Sequence, residues 1–177
     1  MMRAALGSLL LVSLLGCARS TAPQEQPADT IAAHPELEFF NSLSATLEIE
    51  LTAPPEKIEN TANLRAAPGA KISSVKLIAE VAAGEPATFR SLSAEELKSV
   101  AFRGARIQLR GAGGIAVEHQ ATNGVQFTVQ DMLDAVEETE RQTREKSEWF
   151  GGMDIHHIYF EGIHPASDGV WDIEWGS

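Results

Sequence analysis

One cysteine, Cys17, stands among 177 residues, so no internal disulfide can staple this fold and the thiol takes its meaning from its position. Basic residues are scarce as well. Against 25 Asp and Glu there are only 14 Lys and Arg, a net charge of −11, and a surface of that sign repels phosphate backbones and excludes nucleic acid as a partner. No apolar run approaches the roughly 20 residues needed to cross a bilayer as a helix. Complete catalytic patterns are missing too: there is no HExxH, no Ser-His-acid set and no cysteine nucleophile in a recognisable setting. These absences point away from an enzyme.

What is present begins with Arg3, a short positive region, followed by Leu6, Leu9 to Val12, Leu14 and Leu15. This is the pattern of an export signal, with an apolar stretch too short to be a membrane span. It closes on Leu14-Leu15-Gly16-Cys17, which resembles the lipobox of bacterial lipoproteins. The resemblance covers the first residues only. It implies that Cys17 is lipidated and becomes the new N-terminus after cleavage, and that the chain is anchored in the cell envelope through its acyl groups. Ala18, rather than an aspartate, follows the cysteine, and in that family this implies sorting to the outer membrane. Two or more acyl chains at one site make such anchoring stable, since each buried methylene contributes about 0.8 kcal/mol.

Residues 1–16 are then the signal peptide and 17–33 the lipidated cysteine with a flexible tether, in which Pro23, Gln24, Glu25, Gln26 and Pro27 occur with almost no large apolar side chain. Residues 34–177 are expected to form a single α+β domain. With 44% hydrophobic residues the chain can bury a core without disulfides. Leu37, Phe40 and Leu43 fall at helical spacing behind Pro35, suggesting a short helical turn. Thr46 to Thr52 alternates strictly, with Leu47, Ile49 and Leu51 on one face and Glu48 and Glu50 on the other, which marks a half-buried strand. Pro54-Pro55 ends it, and 56–70 reads as a loop. Val75, Leu77, Ala79 and Val81 restore the period of two.

Ser93 and Glu96 form a capping box before a short helix that begins at Ala94 and is expected to end by Phe102 to Gly104. Ile107 and Leu109 alternate with Arg106, Gln108 and Arg110 as a further strand. Gly111-Ala112-Gly113-Gly114 turns the chain into Ile115 to His119; with a strand following and no lysine, it is a turn and not a phosphate cradle. Asn123-Gly124 predicts another hairpin turn. Thr128 and Asp131 then cap the second main helix, whose apolar stripe is Val129, Met132, Leu133 and Val136. From Glu137 the stripe gives way to charge. Glu137 with Arg141, and Glu140 with Arg144, stand at i,i+4 spacing, so the last turns are expected to project into solvent. Gly151-Gly152 stops the helix. The whole reads as a mixed, mostly antiparallel sheet with two helices on one face, ending in a β-α-β unit and a C-terminal β-hairpin.

Chemistry-bearing side chains concentrate in that hairpin. If Phe160 pairs with Trp171 and Ile158 with Ile173, then His157 and Tyr159 share the opposite face with Asp172 and Glu174. His156 and His157, being adjacent, point to opposite sides and cannot ligate one ion together. An imidazole and two carboxylates can hold zinc or iron, so His157, Asp172 and Glu174 are the candidate ligands. A facing carboxylate would also favour the protonated imidazole and make this face sensitive to mildly acidic pH. Trp149, Trp171 and Trp175 could stack on sugar rings, but two of them are needed for the apolar face.

Two functions follow as expectations. The first is a non-enzymatic binding or scaffolding module without a cofactor, tethered to the membrane through Cys17 and facing an envelope protein or cell-wall partner. The second is a metal-binding or pH-responsive envelope protein, a hydrolase among its forms, using zinc or iron at His157, Asp172 and Glu174.

Overall fold

The computed structural model of the protein describes residues 34–52, 70–84, 86, 88–147 and 153–177. Cys17, the tether, Pro54-Pro55, nearly all of the 56–70 loop, Trp149 and Gly151-Gly152 lie outside the described residues. The described elements run as α1 (Leu37–Asn41), β1 (Ser44–Thr52), β2 (Lys71–Ala83), β3 (Thr88–Ser91), α2 (Ala94–Lys98), β4 (Val100–Phe102), β5 (Arg106–Arg110), β6 (Ala116–Gln120), β7 (Phe127–Thr128), α3 (Val129–Thr143), a 3-10 turn (Arg144–Lys146), β8 (Tyr159–Pro165) and β9 (Trp171–Gly176). The fold is mixed α+β. A seven-stranded sheet has the order β3-β2-β1-β8-β9-β5-β6, and β4 and β7 form a separate two-stranded ladder.

The period-two segments behave as their side chains dictate. Ala45 and Leu47 of β1 pair with Ala79 and Leu77 of β2 and are buried, while Glu48, opposite Lys76, is exposed. Inward residues of β1, β2, β5, β8 and β9 join Leu37 and Phe40 of α1 and Val129, Met132, Ala135 and Val136 of α3 in one hydrophobic cluster. Neighbouring strands are antiparallel except β5 and β9, which run parallel through Leu109↔Trp171 and Arg110↔Asp172. The order strand, helix, strand is present as β7, α3 and β8, but β7 pairs with β4 outside the main sheet. Asn123-Gly124 turns the chain, with Asn123 Oδ1 accepting from the N–H of Val125 and Gln126; the strands on either side of it pair elsewhere and make no hairpin.

The starts of α2 and α3 carry the predicted capping boxes. Ser93 Oγ accepts from Glu96 N at 3.2 Å and Thr128 Oγ1 from Asp131 N at 3.1 Å, and each acid reaches back to its cap residue's N–H. Arg90 forks across the Glu96 carboxylate at 2.7 and 2.8 Å and holds its pKa down to about 2. The first of these helices ends earlier than expected: Val100–Phe102 leave it to pair with β7. β3 escapes a reading by alternation because all four of its residues are exposed.

The clearest departure lies in the last turns of α3. Thr139, Glu140 and Thr143 continue the buried face beyond Val136, and Arg144 follows them, fully buried. The Glu140–Arg144 pair is thus inside the protein, and Arg141 bonds Glu138, not Glu137. The helical face persists; only its chemistry changes from apolar to paired polar groups.

Candidate functional site

The C-terminal hairpin differs in register from the sequence expectation. Phe160 pairs with Trp175, Ile163 with Ile173, His164 with Asp172 and Pro165 with Trp171. The cause is twofold. β8 continues to Pro165 and the chain reverses in a tight turn over 166–170, closed by Ala166 N to Val170 O at 2.8 Å. A bulge between Phe160 and Gly162 then changes the phase, so Phe160 and Ile163, three residues apart, both reach the core. Gly162 adopts φ +132°, which favours glycine. Asn41 of α1 repairs the bulge: its side-chain amide accepts from Ile163 N at 3.0 Å and donates to Ile163 O at 3.1 Å.

This register separates the three candidate metal ligands. His157 precedes β8, and its Nδ1 lies 3.0 Å from Asp154 Oδ2. Asp172 takes both arms of Arg110, Nε at 2.7 Å and Nη2 at 3.2 Å, while Nη1 of the same arginine reaches Asp168 at 2.8 Å. Glu174 faces His164, with Nε2 3.7 Å from Oε2. Among the described residues no three His, Cys, Asp or Glu side chains are grouped to hold a metal ion. His156 rests edge-on against His157, with ring centroids 5.3 Å apart. Trp171 is buried, and Trp175 turns its Nε1 inward to Glu140.

The densest chemistry of the domain is a buried ionic cluster where α3 ends. Glu140 and Arg144 side chains are both 0% exposed. Glu140 Oε2 accepts from Arg144 Nη1 at 2.9 Å; its Oε1 accepts from Trp175 Nε1 at 2.9 Å and from Ala112 N at 3.1 Å. Arg144 Nε donates to the carbonyl of Asp154 at 2.8 Å, Nη2 donates to that of His157, and the guanidinium sits 5.5 Å from the centre of the Trp175 ring. Asp154 Oδ1 accepts from the N–H of His156 and of His157. A guanidinium and two carboxylates thereby bind together the end of α3, the β5–β6 turn, the 154–157 segment and β9.

Chemically this cluster is occupied. Each Glu140 oxygen has a donor, each Asp154 oxygen faces one, and among the described residues no buried side-chain nitrogen or oxygen lacks a partner. A general base needs a lone pair free for substrate. The arrangement is suited to fixing backbone, as buried charge is tolerated only when paired and fully hydrogen-bonded. Sequence reasoning saw Glu140 and Arg144 as a pair; the signal that could have placed them inside was the run Val136, Thr139, Glu140, Thr143 at helical spacing.

A second polar site lies between β6 and α3. His119 Nε2 is 2.8 Å from Thr139 Oγ1, and that hydroxyl donates to Ala135 O at 2.8 Å. With the hydroxyl proton so used, the imidazole must donate from Nε2. Burial pushes the pKa of His119 below its ordinary value of 6.5, partly offset by the nearby Glu138 carboxylate. Asp131 and Asp134 also line the adjoining cavity of about 240 Å³. A histidine that resists protonation when folded stabilises the fold above the unfolded-state pKa, and that stability is lost as pH falls through the region below 6.5. The melting temperature should therefore decline from pH 7 to pH 5, and decline less in His119→Gln. Identical pH profiles for the two proteins would refute this.

No family model matches this chain, and comparison with curated proteins and with solved structures finds no match either.

Proposed function

We propose that this chain is a lipid-tethered, non-enzymatic binding or scaffolding module of the bacterial cell envelope, held at the outer membrane through Cys17 and carried on the 17–33 spacer. The observation that carries the reading is the export-signal pattern closing on Leu14-Leu15-Gly16-Cys17. The Arg144 cluster is compatible with it, because Glu140, Arg144 and Asp154 are committed to one another and to backbone groups. The acidic surface, net −11 over the chain, favours partners with basic patches.

Crosslinking in intact cells tests the proposal. A discrete crosslinked species should form with the full chain and disappear in Cys17→Ala, where the domain is released from the membrane surface. Absence of any crosslinked partner would count against a binding module. Stoichiometric zinc or iron in the purified protein, lost in His157→Ala, would replace this reading by the metal-dependent one.

A further inference from the structure

Among the described residues the edge of β2 before Glu80 has no strand beside it and offers a place for a partner, and this inference rests on the binding-module reading above. β1 borders β2 along nearly its whole length, whereas β3 borders it only from Glu80 to Ala83. Leu47, opposite Leu77, sends its N–H away from β2 to Ile158 O at 2.8 Å. Leu47 and Leu77 are therefore a non-hydrogen-bonded pair, and the N–H of Leu77 points out of the sheet, as do those of Val75 and Ala79 by the period of two.

Two carboxylates from the helical layer bond outward-facing N–H groups of this edge. Glu137 Oε2 accepts from Leu77 N at 3.1 Å, and Glu145 Oε1 accepts from Ile72 N at 2.6 Å. Covering an edge in this way prevents indiscriminate pairing. Beside the edge lies a groove of about 280 Å³ whose walls include Leu77, Ala79, Leu92, Leu97 and Leu133, with Asp134 and Glu137 at its polar side. Asp134, Glu137 and Glu145 have no cation within ion-pairing distance among the described residues.

We propose that the β2 edge from Val75 to Ala79 takes up an extended, basic segment of a partner protein as an added strand. Backbone hydrogen bonds to Val75, Leu77 and Ala79 supply affinity, and every second side chain enters the groove toward Leu92, Leu97 and Leu133. A peptide carbonyl replaces Glu137 on the Leu77 N–H, and the released carboxylate, with Asp134, is left to meet a lysine or arginine. A second copy of this chain fits less well, because edge-to-edge pairing would set its own Glu137 against this one.

The probe is a labelled heptapeptide, acetyl-Lys-Val-Lys-Val-Lys-Val-Lys-amide, added to the full-length protein in nonionic detergent. It is compared with two versions N-methylated at alternate residues in opposite phases. Strand addition uses one edge of the peptide, so one phase should weaken binding by about tenfold or more, the equivalent of one or two lost hydrogen bonds, and the other should bind like the parent. Amide exchange at Val75, Leu77 and Ala79 should slow on binding, and Glu137→Gln should bind the parent peptide more weakly. No binding by the parent, equal effects of both methylated phases, or self-association through β2 without peptide uptake would overturn the proposal. If crosslinking in cells still captures a partner while the peptide fails, the groove assignment falls and the binding-module reading stands.

Discussion

Arg144→Met will destabilise the domain by about 3–5 kcal/mol, the cost of leaving one member of a buried ion pair without the other. Glu140 is 0% exposed and would keep its charge or take up a proton in a site built around a guanidinium. The same substitution removes the donors to the carbonyls of Asp154 and His157, so the 154–157 segment loses its tie to α3. Against the 5–15 kcal/mol typical of a whole domain this is a large fraction. Urea denaturation followed by tryptophan fluorescence reads the change. Adding Glu140→Gln should return part of the loss, because the amide oxygen still accepts from Trp175 Nε1 and Ala112 N while the unpaired charge is gone. A loss below about 1 kcal/mol for Arg144→Met, within reach of ordinary surface substitutions, would mean that the cluster does not hold the domain together.

Gly113→Ala should have the next largest effect, about 1–3 kcal/mol or more, from overpacking. A Cβ at Gly113 would lie 2.1 Å from the carbonyl oxygen of Thr143 and 2.4 Å from its carbon, so the clash is with helix backbone, which has no rotamer to escape into. At Gly111 a Cβ would lie 1.8 Å from Glu140 Oε1, a side chain already pinned by its hydrogen bonds. The 111–114 turn therefore needs glycine for two distinct reasons: a left-handed conformation at Gly114, with φ +69°, and close approach to α3 at Gly111 and Gly113. Thermal denaturation of Gly113→Ala should show a lowered midpoint; an unchanged midpoint would mean that the turn can withdraw from the helix freely.

The contrast between these residues and the strands shows what sequence can carry. Leu47, Leu77, Ile107 and Leu109 announce their faces because a half-buried strand needs only alternation. Ser93 with Glu96 and Thr128 with Asp131 announce helix starts because a capping box is local in sequence. The buried face of α3 beyond Val136 was hidden because glutamate and arginine at i,i+4 look alike whether solvated or enclosed. Their enclosure depends on Asp154, Trp175 and the glycine turn, all distant in the chain. The hairpin register failed for a similar reason. A bulge at Gly162, supported from α1 by Asn41, shifts the phase of β8, and no two-residue period contains that information. With the register went the grouping of His157, Asp172 and Glu174, each of which has its own partner in the fold.

The edge of β2 was equally unreadable before the fold. Its alternation predicts a strand but not that β3 would pair with it only at Glu80 to Ala83, nor that Glu137 and Glu145 would bond the N–H groups of Leu77 and Ile72. Those two carboxylates are what distinguish a guarded edge from an aggregation-prone one.

The tether remains the premise on which any envelope role depends, and the intact mass of the protein isolated from membranes tests it most directly. The expected result is a chain that begins at Cys17, heavier than the bare polypeptide by its acyl groups, and absent from the membrane fraction in Cys17→Ala. An unmodified thiol on a chain that still carries residues 1–16, or a Cys17→Ala protein that stays on the membrane in the same proportion, would contradict it.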